Sequence, residues 1–190
     1  DQVKNLQWER KKNSGKEISG KVIGIIGYGH TGPSFAKKLT GFDAELLAYD
    51  KYRSGFGSEL VKEVGLQEIY SKADIVSLHI PGSRENLDLV NKGYISKFKK
   101  PIYLINTSRG YILNQEDLLT FINEGKIKGA CLDVLQNENL GNYTEGEKRL
   151  LKQMTSTGKI IITPHIAGWT SGSEKKIYTV LIDKLKKINI

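Results

Sequence analysis

The chain has 190 residues, 38% of them hydrophobic and 26% charged, the make-up of one soluble globular domain with length for a full core. No apolar run reaches the ~18 residues of a membrane span, the opening stretch 1–16 is polar and not a signal peptide, and one cysteine, Cys131, leaves no internal disulfide framework and fits a reducing cytosol. The net charge of +8 comes from lysines scattered among acids, not from a basic and aromatic cluster of the kind that binds nucleic acid; no metal site is expected.

Residues 1–20 form a polar arm whose large apolar residue is Trp8. From Lys21 onward strand and helix patterns alternate. Residues 22–26 are a continuous apolar run, as in a parallel strand covered on both faces. Gly27-Tyr28-Gly29-His30-Thr31-Gly32 follows, then a helix with Phe35, Ala36 and Leu39 on one face and Gly41 at its end. Further strands are expected at 46–49, 75–80, 102–105, 129–134 and 160–163. Asn114 is placed to cap a helix carrying Leu118, Leu119 and Ile122 as far as Gly125. Residues 137–146 read as a polar loop. A last helix, within 171–190, opens on a Ser171-x-x-Glu174 capping box and carries an apolar stripe of Ile177, Leu181, Leu185 and Ile188. Strands alternating with helices predict an α/β fold, a doubly wound, mostly parallel sheet of Rossmann type over residues 21–170.

Three segments carry chemistry. A Gly-x-Gly-x-x-Gly loop is a weak signal alone, but here it leaves a strand and opens a helix, so its backbone N–H groups and helix N-terminus can take a pyrophosphate. His30 and Thr31 then edge the phosphates beside Gly27, Gly29 and Gly32. Asp50 ends the next strand, 18 positions after Gly32, close to the ~20 expected of the acid that binds the adenosine ribose. A carboxylate there accepts the ribose hydroxyls and repels a 2′-phosphate, which favours NAD over NADP; Lys51 and Arg53 pull the other way. Arg109 follows the strand 102–105 and can grip a carboxylate with two parallel hydrogen bonds. His165 follows the strand 160–163. His79 ends the strand 75–80 in the same manner, so the residues alone leave His79 and His165 level as acid/base candidates, with a packed, satisfied histidine the other reading of His79.

Five spaced motifs, Gly-Lys-Val-Ile-Gly-Ile-Ile-Gly-Tyr-Gly, Val-Ser-Leu-His-Ile-Pro, Ile-Asn-Thr-Ser-Arg-Gly, Gly-Ala-Cys-Leu-Asp-Val and Thr-Pro-His-Ile-Ala-Gly-Trp-Thr, resemble the D-isomer-specific 2-hydroxyacid dehydrogenases over about residues 20–170, most closely the D-3-phosphoglycerate dehydrogenase branch, which serves serine biosynthesis. The resemblance implies the NAD-binding half of a cytoplasmic oxidoreductase acting on a small anionic 2-hydroxy or 2-keto acid. It implies a catalytic set of Arg109, Glu138 and His165, with Arg109 on the substrate carboxylate, His165 as acid/base and Glu138 stabilising the imidazolium. Asn139 stands after Glu138 where the family usually has proline. The resemblance further implies that His79, Ile80, Pro81, Thr107, Asp133 and Ala167 line the cofactor, with Asp133 near the nicotinamide carboxamide. It implies a homodimer, for which Trp8 is a natural contact, and a substrate domain that this sequence lacks, so that the chain alone would bind cofactor and turn over poorly. Two other classes compete: a non-enzymatic NAD(H)-sensing module of the corepressor type, and a methyltransferase, against which the Arg109, Glu138 and His165 set argues.

Overall fold

The computed structural model describes residues 2–188. Asp1, at the start of the expected arm, and Asn189 and Ile190, at the end of the expected last helix, lie outside them. Seven strands form one sheet: β1 (Val22–Ile26), β2 (Glu45–Tyr49), β3 (Lys62–Glu63), β4 (Ile75–Leu78), β5 (Ile102–Asn106), β6 (Ile127–Leu132) and β7 (Ile160–Ile162). The order across the sheet is β3-β2-β1-β4-β5-β6-β7, and every pairing is parallel. The chain leaves β1 toward one edge and restarts at β4 toward the other. The gap between the carboxyl ends of β1 and β4 is therefore the topological switch point, where open sheets of this kind hold their ligands.

Burial explains the strand runs. Along β1, Ile23 and Ile25 enter one apolar cluster and Ile26 enters another. Along β2, Leu46 and Ala48 join the first and Leu47 the second, so alternate side chains are buried on both faces. The helices are α1 (Thr31–Lys38), α2 (Leu66–Lys72), α3 (Lys92–Ile95), α4 (Gln115–Asn123), α5 (Glu145–Ser156) and α6 (Ser173–Lys186). As the sequence predicts, the Asn114 side chain caps α4 by accepting the Asp117 N–H at 2.9 Å, and Gly125 follows it with φ +74°.

Several elements differ from the sequence expectation. β3, α2 and α3 are too short to show a period of their own. The expected strand 75–80 stops at Leu78, and 129–134 becomes Ile127–Leu132. The polar loop 137–146 gives way to α5 at Glu145, and the capping box is here: Thr144 accepts the Glu147 N–H while the Glu147 carboxylate accepts the Thr144 N–H. No capping box forms at Ser171. Gly172 is the N-cap of α6, with no side-chain cap, and Ser173, the first helical residue, spends its hydroxyl on the Thr170 carbonyl at 2.8 Å.

α6 buries none of its residues. Its expected stripe is bare, Leu181 being 52% exposed and Leu185 49%. One face of the sheet is bare as well over β5 to β7, where Cys131 and Ile161 are exposed. Leu104 on β5 is 2% exposed, whereas Ile161 on β7 is 65% exposed. Leu104→Ala is therefore expected to cost about 2–5 kcal/mol, and Ile161→Ala to stay within about 0.5 kcal/mol. Urea denaturation of the two variants checks this difference between the faces.

Candidate active site

The loop between β1 and α1 is shaped by close backbone approaches. Gly27 has φ +94°, and a Cβ there would sit 2.4 Å from the His79 carbonyl oxygen. A Cβ on Gly32 would sit 2.3 Å from the Gly27 carbonyl oxygen. Gly29 is different, because a Cβ there would meet nothing within 4 Å. Two glycines are thus required by the chain's own packing, and the middle one leaves space that the chain does not use. α1 opens beside that space without a side-chain cap, so its first N–H groups are left for an anion. His30 and Thr31 stand exposed at this helix start.

Asp50 ties the loop after β2 to this cradle. Its carboxylate accepts the Tyr28 N–H at 2.7 Å, the Tyr52 N–H at 2.9 Å and the Arg53 N–H at 3.0 Å. Burial by itself would lift this carboxyl, but the three N–H donors and the Arg53 charge outweigh it and hold the group below the usual carboxylate range. A carboxylate has about four acceptor positions; three are taken within the chain, so less of Asp50 is free for ribose than the sequence suggests. Arg53 is engaged too, donating to the Tyr28 and Gly29 carbonyls at 2.8 and 2.9 Å.

His79 and His165 part company here. His79 is mostly enclosed: Nε2 lies 2.9 Å from the Ser77 hydroxyl, Nδ1 3.3 Å from the Thr31 hydroxyl, and its ring is 5.0 Å from that of Phe35. Burial pushes its pKa down to about 4, so it is neutral at physiological pH. Ile80 packs against the core, and Pro81 is exposed beyond it.

His165 lies in the open with a carboxylate partner. Its Nδ1 is 2.9 Å from Glu138 Oε2, each side chain being 45% exposed. Its backbone has φ +54°, a left-handed conformation that a non-glycine residue keeps only when its surroundings impose it. The constraint is visible: the His165 N–H donates to the Asp133 carbonyl at 2.8 Å and the Thr163 carbonyl at 3.0 Å. The Asp133 carboxylate, in a residue 5% exposed, accepts the Thr163 hydroxyl at 2.5 Å and the N–H groups of Ile166 and Ala167 at 2.9 and 2.7 Å. Burial would raise this carboxyl; those donors, with His165 nearby, hold it low. Asp133, expected beside the nicotinamide, thus also serves as the clamp on the turn that carries His165 and Ala167.

Glu138 is positioned by residues that sequence reasoning passed over. The Asn137 side chain donates to Glu147 at 2.8 Å and accepts the Asn139 N–H at 3.0 Å, while the Tyr143 hydroxyl donates to the Asn137 carbonyl at 2.5 Å. A proline at position 139 could not donate that N–H; an Asx turn takes its place. The Thr144-x-x-Glu147 pattern was the available signal for this support.

Arg109 sits in the loop after β5, between those of β4 and β6. Buried Asn106 accepts the Ser108 N–H at 3.0 Å and donates to the Arg109 carbonyl at 3.1 Å. A Cβ on Gly110 would lie 1.8 Å from the Leu135 carbonyl oxygen, so this loop presses against the segment after β6. The exposed guanidinium donates to the Ser108 carbonyl at 2.6 Å, and Thr107 is exposed beside it. The structure joins Glu138 and His165 directly and puts Arg109 at the same edge of the sheet without a hydrogen bond to the pair. Among the described residues no group of three or more His, Cys, Asp or Glu could hold a metal ion, and no helix is long and apolar enough to cross a membrane.

The glycine loop at the switch point and the His165–Glu138 pair lie at the same, carboxyl edge of one parallel sheet. Residues 1–167 match the model of the D-isomer specific 2-hydroxyacid dehydrogenase, NAD binding domain. The chain belongs to that family. The chain is 37% identical over 176 residues to YoaD of Bacillus subtilis (strain 168), which carries a 2-hydroxyacid dehydrogenase name, covering 93% of this chain and 49% of YoaD. It is 31% identical to a D-3-phosphoglycerate dehydrogenase of Archaeoglobus fulgidus, over 96% of this chain and 34% of that one. Its fold matches the crystal structure of a D-lactate dehydrogenase from Aquifex aeolicus complexed with NAD and lactic acid, with TM-score 0.84, 27% identity, and coverage of 99% of this chain and 59% of the other. The chain therefore spans from about a third to about three fifths of the length of these relatives, and they do not single out the phosphoglycerate branch. NAD is the cofactor of the family domain, and the open space at Gly29, next to an uncapped helix start, fits its pyrophosphate.

Two outcomes are expected. Gly27→Ala should destabilise the domain by about 1–3 kcal/mol through overpacking. Gly29→Ala should leave stability within about 0.5 kcal/mol and still weaken NADH binding, which thermal melts and a fluorescence titration separate. For His79, the unfolded state takes up a proton below pH 6.5 while the folded state resists to about 4. Its share of the stability is thus complete above pH 6.5 and lost as pH falls toward 4. Denaturation at pH 7 and pH 5 should show a smaller loss in His79→Gln than in the unaltered domain.

Proposed function

We propose that this domain is the cofactor-binding and catalytic half of an NAD-dependent D-2-hydroxyacid dehydrogenase, interconverting a small 2-hydroxy acid and its 2-keto acid. The Glu138–His165 pair, at the same sheet edge as the glycine loop, carries the reading. When bound, the nicotinamide supplies or accepts the hydride. The residues of this chain do the rest. Gly29 admits the pyrophosphate in a loop that Gly27 and Gly32 shape, with His30 and Thr31 at its edge, Asp50 takes the adenosine ribose, and His79, Ile80, Pro81, Thr107, Asp133 and Ala167 line the crevice. Nδ1–H of His165 donates to Glu138, which directs Nε2 toward the substrate oxygen and leaves it to deliver or take the proton there. Glu138 stabilises the imidazolium while His165 carries that proton. Arg109, fixed only by its backbone and one carbonyl, is free to turn its guanidinium onto the substrate carboxylate and polarise the adjoining carbonyl.

Phosphoglycerate, suggested by the sequence motifs, stays within this reading as one candidate substrate beside lactate-like and other 2-hydroxy acids. A reducing compartment suits the lone Cys131. The exposed arm supports a homodimer: Trp8 is 78% exposed, and large aromatics gain most from interface burial.

In a chain that also carries the substrate half, His165→Ala should lower kcat about 10²–10⁴-fold and leave NADH affinity nearly unchanged. Glu138→Gln should cost less, about 10–100-fold, since an acceptor for Nδ1–H remains and only the charge beside the imidazolium is lost. Arg109→Ala should raise KM as well as lower kcat. Full turnover in His165→Ala would overturn the assignment. Sedimentation of Trp8→Ala against the unaltered domain tests the dimer, which should weaken.

A further inference from the structure

Two cations stand next to the residue proposed to take the adenosine ribose, and a lysine or arginine there would welcome the 2′-phosphate of NADP. Arg53 already spends one guanidinium nitrogen on the Tyr28 and Gly29 carbonyls. Lys51 is engaged by a residue 34 positions away. Its Nζ lies 2.7 Å from Glu85 Oε2, and the Tyr52 hydroxyl donates to the other oxygen of the same carboxylate. Glu85 belongs to the loop after β4, on the far side of the switch point, in the 3-10 turn Arg84–Asn86. Asn86 fixes that turn, donating from its side chain to the Pro81 carbonyl at 2.9 Å. Glu85 therefore reaches across the crevice from a different strand to meet the β2 loop.

These contacts close a ring of hydrogen bonds around the adenosine end of the crevice. Asp50 joins the β2 loop to the glycine loop, His79 joins the β4 segment to Thr31 on α1, and Glu85 joins the β4 loop to Lys51 and Tyr52. In this ring the carboxylates of Asp50 and Glu85 bracket the stretch from residue 50 to residue 53. The hydrogen bond and charge of Glu85 hold Lys51 as its ammonium, above the ordinary lysine range, and the pairing holds Glu85 ionised below the ordinary carboxylate range.

We propose that Glu85 is a specificity-determining residue for the cofactor: by holding Lys51 and adding a second negative charge at the adenosine end, it excludes the 2′-phosphate of NADP. It does so from a loop that the dinucleotide fingerprint does not include. The proposal rests on Asp50 as the ribose site. An exposed ion pair is a weak tie, so Glu85 acts by occupying Lys51 and by repulsion, not by stabilising the fold.

The test is a fluorescence titration of the domain with NADH and with NADPH at low and high ionic strength. Glu85→Gln and Glu85→Ala should each tighten NADPH about five- to thirty-fold relative to NADH at low salt, with NADH affinity within about twofold of the unaltered domain, and the gain should shrink at high salt. Adding Lys51→Met to Glu85→Gln should remove most of the gain, because the freed cation is what binds the phosphate. An unchanged NADPH-to-NADH ratio in both Glu85 variants overturns the proposal, and so does an equal weakening of both cofactors, which would mark Glu85 as a wall of the pocket. A gain that survives Lys51→Met overturns the sequestration. Failure of the underlying reading looks different: Asp50→Ala would then leave the preference unchanged, or the unaltered domain would not bind NADH at all, and the proposal would fall with it.

Discussion

Asp133 is 5% exposed and ionised, and a buried carboxylate is tolerable only if donors surround it. The chain provides three, the Thr163 hydroxyl and the N–H groups of Ile166 and Ala167. Meeting that demand bends the segment after β7 back over the end of β6. The bend sets the His165 backbone at φ +54° and hands its N–H to the Asp133 carbonyl. The imidazole then stands where Glu138 can reach it. One buried charge thus organises the turn that carries His165, and the left-handed backbone of His165 lies within that turn.

The other half of the site is organised by contact and not by charge. Carbonyl oxygens stand where side chains would be at Gly27, Gly32 and Gly110, so the loops after β1, β4, β5 and β6 are pressed together with little room to shift. Outside this frame the Arg109 guanidinium stands exposed with one hydrogen bond to its own loop, and the Glu85 pairing lies at the surface.

Two apolar surfaces do not follow this economy. The face of β5 to β7 around Cys131 and Ile161, and the stripe of α6, are exposed in a domain whose strands β1 and β2 are buried on both sides. Relatives of this family are longer than the chain, which spans 49% of YoaD.

Much of the frame was legible in local pattern. Apolar runs marked the strands, Asn114 and Gly125 bounded α4, and Gly27 to Gly32 marked the cradle, because each depends on residues a few positions apart. The same locality misled at two places. Ser171-x-x-Glu174 and Thr144-x-x-Glu147 are equal as patterns, and only the second is a capping box, since Ser173 and Thr170 bond each other first. The stripe of α6 reads as a core face, but whether a stripe is buried depends on what lies opposite. What tertiary structure alone decided is which histidine is enclosed, His79 by Ser77, Thr31 and Phe35, while His165 meets Glu138 as the resemblance implied, and that Glu85 pairs with Lys51. The Glu138–His165 and Glu85–Lys51 pairings join loops separated in sequence and brought to one edge by the strand order β3-β2-β1-β4-β5-β6-β7, and strand order has no local period to read.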